Sequence, residues 1–97
     1  MNNIRQGDVF LKKIKELPKK LKKKDNILAY GEVTGHKHQV IGRAVVLTDG
    51  TTQYVEVQEE AELVHEEHQK HQLEKGVYKV ILQRELDLVG EVRQVMD

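Results

Sequence analysis

Residues 40–57 read VIGRAVVLTDGTTQYVEV, and the fold turns on how this stretch is read. Val40 to Leu47 and Thr51 to Val57 are dense in β-branched side chains, and they flank Asp49-Gly50, a pair that accepts the positive backbone angles of a tight hairpin turn. The spacing predicts two antiparallel strands reversing at that turn. Tyr54, set among Val and Thr, suits the pleated and half-buried surface of a sheet better than a helix.

Working outward, Asp8 to Ile14 reads as an opening strand in which Val9 and Leu11 alternate with polar neighbours. Asn26 to Glu32 supplies a second short apolar segment, and Gly31 and Gly35 bracket a place where the chain can bend. Downstream, Glu59 to Gln72 reads as a strand followed by a turn or short helix. Ala61 and Leu63 can finish a strand, while Ala61, Val64, His65, His68 and Gln72 also fit one helical stripe. Residues 77–86, VYKVILQREL, form a β-rich run in which Tyr78, Val80 and Leu82 face one way, and a last short strand is expected at Val92 to Val95. The fold class is therefore mainly β: a small antiparallel sheet or partly open β-barrel with at most one or two short helices.

No repeat or linker sets off a second unit, so residues 1–97 are read as a single small domain with a basic N-terminal segment around 12–24. With one Phe, three Tyr and no Trp in 97 residues, the core must come from Val, Leu and Ile. A core of that size is modest, and a metal ion or self-association would help it. The absence of Cys excludes disulfides, thiolate metal ligands and a Cys nucleophile. No apolar run approaches the roughly 18 residues of a membrane span and no cleavable leader is visible, so a cytoplasmic protein without membrane contact is expected.

Formal neutrality hides a division along the chain. Residues 1–24 carry nine Lys or Arg against two acids, and residues 25–97 carry seven against fourteen. Opposite ends of this kind can attract within one chain or between copies, so a homo-oligomer is among the expectations. Lys19, Lys20, Lys22, Lys23 and Lys24 could meet phosphates of a nucleic acid or an acidic protein partner. No aromatic residues interleave with them, so a groove that stacks single-stranded bases has little support. A solvated loop or one short helix, interrupted by Pro18, is the plainer reading of the same lysines.

The strongest chemical signal is histidine. His36 and His38 in GHKH share a face if that segment is extended, and His65 and His68 in HEEH share a side of one turn, with His71 continuing the spacing. Neutral imidazoles bind zinc or another divalent transition metal, and four such donors make one tetrahedral shell. Glu66 and Glu67 between them could orient an imidazole, ligate, or act as a base toward metal-bound water, or simply remain solvated. Arg84 and Glu85 read either as an exposed strand pair or as groups that orient a substrate. Acid–base, pH-sensitive and purely structural roles for the histidines stay open beside the metal. HEEH is not the His-Glu-X-X-His pattern of zinc proteases, and no phosphate loop, dinucleotide fingerprint or serine elbow is present. An enzymatic activity, undecided at this level, would rest on metal activation.

The set RQGDVFL, ILAYGEVTGHKH, LVHEEH and GVYKVILQRE resembles a small uncharacterised bacterial and phage-associated protein family. The resemblance spans most of the chain and picks out Gly7 and Asp8, Gly31 to His38, His65 to His68, Gly76 to Tyr78, and Gln83 to Glu85. Leu86 stands where that family's pattern continues with Tyr, which weakens a role for an aromatic hydroxyl there. The paired histidines are also similar to a cupin metal hand, although the spaced Glu of cupins is missing. Together these features predict a small histidine-rich metal-binding β domain, structural or hydrolytic. The alternative is a nonenzymatic phage or mobile-element accessory protein that binds nucleic acid or a protein partner.

Overall fold

The computed structural model describes residues 3–30 and 35–83. The expectations at Gly31, Glu32, Arg84, Glu85, Leu86 and Val92 to Val95 lie outside the described residues. The elements within them are eight strands: β1 (Ile4–Gln6), β2 (Val9–Ile14), β3 (Lys22–Lys23), β4 (Ile27–Tyr30), β5 (Lys37–Thr48), β6 (Gln53–Val64), β7 (His71–Leu73) and β8 (Gly76–Leu82). All pair antiparallel in one open sheet ordered β1-β2-β8-β6-β5-β3, with β4 also on β5 and β7 also on β6. The sheet does not close into a barrel. The 65–70 segment, for which a short helix was one expectation, is a loop.

The hairpin at the centre is longer than its sequence core, because β5 and β6 each run for 12 residues. Their connection is a four-residue loop, Asp49 to Thr52, instead of a two-residue turn, and only Gly50 takes a positive φ, of 101°. The Asp49 carboxylate organises the loop by accepting hydrogen bonds from the Thr51 and Thr52 amides and the Thr51 hydroxyl. Side-chain capping of this kind is the usual service of Asp in a turn.

Midway along the hairpin the ladder shifts: Gly42 opposes Ala61, and Ala44 opposes Val57. Between these pairs Arg43 alone of β5 faces three residues of β6, the exposed Gln58, Glu59 and Glu60. Because the step along β6 is even, Val55, Val57, Ala61 and Leu63 all keep to the buried face across the irregularity. Gly42 takes a φ of 99°, and its α-carbon lies so close to β6 that a Cβ would stand 2.6 Å from the Glu60 carbonyl oxygen.

Each half of this long hairpin receives its own flanking strands. The Tyr54 to Val57 half of β6 pairs with β8, which pairs in turn with β2, whereas the Ala61 to Leu63 half pairs with β7. Val9 and Leu11 of β2, Val55, Val57 and Leu63 of β6, Leu73 of β7, and Tyr78 and Val80 of β8 meet in the core with Leu28, Val40 and Val46. Burying each such aliphatic side chain contributes about 1.5–3 kcal/mol. Tyr78 is fully buried as a ring, yet its hydroxyl donates to the Glu74 carbonyl at 2.8 Å. No helix among the described residues is long and apolar enough to cross a membrane.

Candidate functional site

Two segments distant in sequence deliver the histidines to one place. His36 immediately precedes β5 and His38 is its second residue, and His65 and His68 lie in the loop that leaves β6. Antiparallel pairing of Gln39 with Val64 brings these two ends together. The His65 ring is the hub, with centroids 4.4 Å from His38, 4.5 Å from His68 and 5.7 Å from His36. His38 and His68 stack at 5.8 Å. The expected convergence of the four rings is therefore present. Among the described residues, however, no group of three or more His, Asp or Glu side chains has its donor atoms posed to hold a metal ion as the side chains stand.

Hydrogen bonding determines which nitrogens are available. Gln6, at the end of β1, is 2% exposed, and its amide nitrogen donates to the carbonyls of Leu63 and Gln69 at 3.0 and 2.9 Å. Those two acceptors orient the amide so that its oxygen faces His38, whose Nδ1–H donates to it at 3.0 Å. The other ring nitrogen, His38 Nε2, lies 3.3 Å from Asp8 Oδ1. Burial, reinforced by the nearby His65, pushes His38 below the ordinary imidazole range despite the attraction of Asp8. The ring thus bridges Gln6 and Asp8, and the Nε2 contact is an ion pair whenever the imidazole is protonated.

The other rings differ in their engagement. His65 Nδ1 accepts a hydrogen bond from the Glu67 amide at 3.0 Å, and burial, followed by the neighbouring His68, lowers its pKa. His36 Nδ1 is buried without a hydrogen bond, with Glu67 Oε1 3.6 Å away. Glu66 serves the backbone: it accepts from the Lys37 amide at 2.8 Å, which holds its carboxyl below the usual range, and it pairs with the Lys37 ammonium. Of the two glutamates, Glu67 therefore lies beside an imidazole while Glu66 fastens the loop to β5. His71 belongs to β7, opposite Leu63.

The Gly7-Asp8 turn that joins β1 to β2 closes the site from below. Gly7 has a φ of 59°, and a Cβ added there would stand 2.7 Å from His68 Nε2 and 3.2 Å from His38 Cε1. Only glycine lets the backbone approach the rings so closely. The histidine motifs carry no sign of Gln6 or of this contact. The one available signal for the turn was Gly-Asp between two short apolar alternations.

The basic segment is dispersed. Lys19 and Lys20 are exposed in the loop before β3, and Lys22 and Lys23 are consecutive residues of β3, so their side chains leave opposite faces. Lys24 turns inward to the Asp25 carboxylate and the Ile27 carbonyl.

No curated protein and no solved structure matches this chain. Residues 5–83 match a family model described as Domain of unknown function (DUF8820), and the chain belongs to that family.

Proposed function

We propose that this member of the DUF8820 family is a small metal-binding β domain, in which imidazoles of the cluster His36, His38, His65 and His68 take up one divalent transition ion, zinc foremost. The observation that supports it best is the buried His38, held by Gln6 through Nδ1 with the rings of His65 and His68 against it. Imidazole nitrogens sit about 2.0–2.1 Å from zinc, so two rings on one tetrahedral ion have centroids about 5 Å apart. The ring separations of 4.4 to 5.8 Å bracket that value. The orphaned His36 Nδ1 is a further nitrogen in want of a partner.

The role favoured is structural. An ion here would fasten the 65–70 loop and the beginning of β5 to the sheet, and binding free energy of that kind becomes folding free energy. Hydrolysis would require a coordination position left open to water, with Glu67 the carboxylate nearest an imidazole. Nucleic-acid binding through the lysines has less support, because Lys22 and Lys23 point to opposite faces and Lys24 is already paired.

Metal uptake is measured on the intact chain by titration against a chromophoric chelator and by elemental analysis after dialysis. One zinc per chain is expected, and His38→Ala should abolish it. Ligation by His65 needs its Nδ1 either bound to metal or protonated, so the Glu67 amide must lose its present acceptor. The amide resonance of Glu67 should therefore shift on zinc addition. A wild-type chain that retains no zinc, cobalt or nickel in stoichiometric amount would refute the reading.

A further inference from the structure

We propose that residues 84–97 cover the face of the sheet opposite the core, seating apolar side chains on it and placing carboxylates over Lys12 and Lys79. This packing is independent of any metal.

Strand register defines that face. Val9, Leu11, Tyr78 and Val80 turn into the core, so alternation sends Phe10, Lys12 and Ile14 of β2 and Val77, Lys79 and Ile81 of β8 to the other side. Cross-strand pairing arranges them in three rows: Phe10 with Ile81, Lys12 with Lys79, and Ile14 with Val77. Tyr54 of β6 extends the middle row, opposite Lys79. Phe10 is 37% exposed, and both lysines are exposed. Two apolar rows thus enclose a pair of like charges directly opposite each other, an arrangement that destabilises a sheet unless something neutralises it. Glu56 shares the face, opposite Val77, but among the described residues no carboxylate forms an ion pair with either lysine. An apolar surface with a cationic centre fits an occupant that is both apolar and acidic.

Residues 84–97 have that character and start in the right place. They hold Leu86, Leu88, Val89, Val92, Val95 and Met96, with four acids against two arginines. The Gln83 amide donates to the Asp8 carbonyl at 2.7 Å, one step beyond the Val9–Leu82 pair, so the segment begins beside the Phe10–Ile81 row. From Gln83 to Val77 the ladder runs about 20 Å, at about 3.3 Å per residue. The 14 residues of the segment span that distance even at a rise of about 1.5 Å each, the shortest regular spacing they could adopt. A second copy suits the face less well, because an isologous contact would set one basic face against another.

The test uses the full-length chain, whose lack of Cys lets a single introduced thiol carry a nitroxide label. Gln94→Cys is labelled in one variant and Asp97→Cys in a second, and methyl resonances are compared before and after the nitroxide is reduced. The signals of Ile14, Val77 and Ile81 should be largely lost, while those of Leu28 and Leu63 on the core side are retained. Loss that is absent, uniform, or strongest in the 65–70 loop overturns the proposal. Loss that passes from a labelled chain to an unlabelled, isotope-enriched one in a mixed sample assigns the face to a second copy and also overturns it. Replacing both lysines, Lys12→Glu with Lys79→Glu, should restore the methyl signals, and unchanged attenuation would refute the carboxylate placement. A single-stranded oligonucleotide should leave the wild-type methyl signals in place; shifts confined to this face would make phosphates the occupant instead.

Discussion

Gln6→Leu is the perturbation that asks most of the structure. The Gln6 amide accepts from His38 Nδ1–H and donates to the Leu63 and Gln69 carbonyls, and the first two of these bonds are buried. Each intramolecular hydrogen bond contributes about 0.5–1.5 kcal/mol, and a buried partner left unsatisfied costs about 1–3 kcal/mol. Counting the two buried bonds fully and the part-buried one lightly gives a loss of about 3 kcal/mol. Leu is close to Gln in size, so cavity formation adds little. With a urea slope of about 1.5 kcal/mol per M, ordinary for small proteins, the unfolding midpoint of the metal-free chain should fall by about 2 M. The same substitution releases His38 from its tautomer and should weaken zinc binding about 10–100-fold. Equilibrium urea denaturation followed by circular dichroism, with chelator present, reads the first effect, and zinc competition reads the second. A midpoint within about 0.3 M of wild type, near 0.5 kcal/mol on that slope, would refute the hydrogen-bond account. A lowered midpoint with unchanged zinc affinity would refute the tautomer argument alone.

Gly42→Ala should destabilise by about 2–4 kcal/mol, combining a left-handed backbone penalty with overpacking, because the new Cβ would stand 2.6 and 2.8 Å from backbone atoms of Glu60 and Ala61. Thermal melting measures this, and a loss below about 1 kcal/mol would show that the strand irregularity relaxes freely. Asp49→Ala should lower stability at neutral pH. Backbone amides of Thr52 and Thr51 hold the Asp49 carboxyl below its ordinary range, so its stabilisation is present above the unfolded-state value near pH 4 and fades as pH falls through the lower folded value. Urea midpoints of wild type and variant should accordingly differ at pH 7 and converge as pH falls below the ordinary carboxylate range near 4, and a constant difference would contradict the assignment.

The β character of the chain was legible because its causes are local. Alternation at Val9 and Leu11, at Val55 and Val57, and at Tyr78 and Val80 marks strands directly, and all six residues are buried. The hairpin about Asp49-Gly50 was legible for the same reason, although its loop is longer than the pair suggested, since the Asp49 side chain stabilises four residues as readily as two. Within the candidate site, pairing in GHKH and HEEH identified four side chains, because spacing of two or three residues restricts where they point.

What sequence periodicity could not supply is contact between segments that are separated along the chain. Gln6 and His38 are 32 residues apart, and Gln6 and Gln69 are 63 apart, and no local pattern encodes which distant backbone carbonyl a buried amide will meet. The placement of Gly7 and Asp8 beside the imidazoles does not follow from strand order, since β1 stands four places from β5 in the sheet and yet the Gln6 side chain bonds directly to His38 and to the Leu63 and Gln69 carbonyls. Composition and alternation thus determined that the protein is a sheet carrying two histidine pairs. Tertiary packing decided that the pairs meet, that Gln6 bonds to His38 Nδ1, and that the Asp8 carboxylate from a third segment faces His38 Nε2.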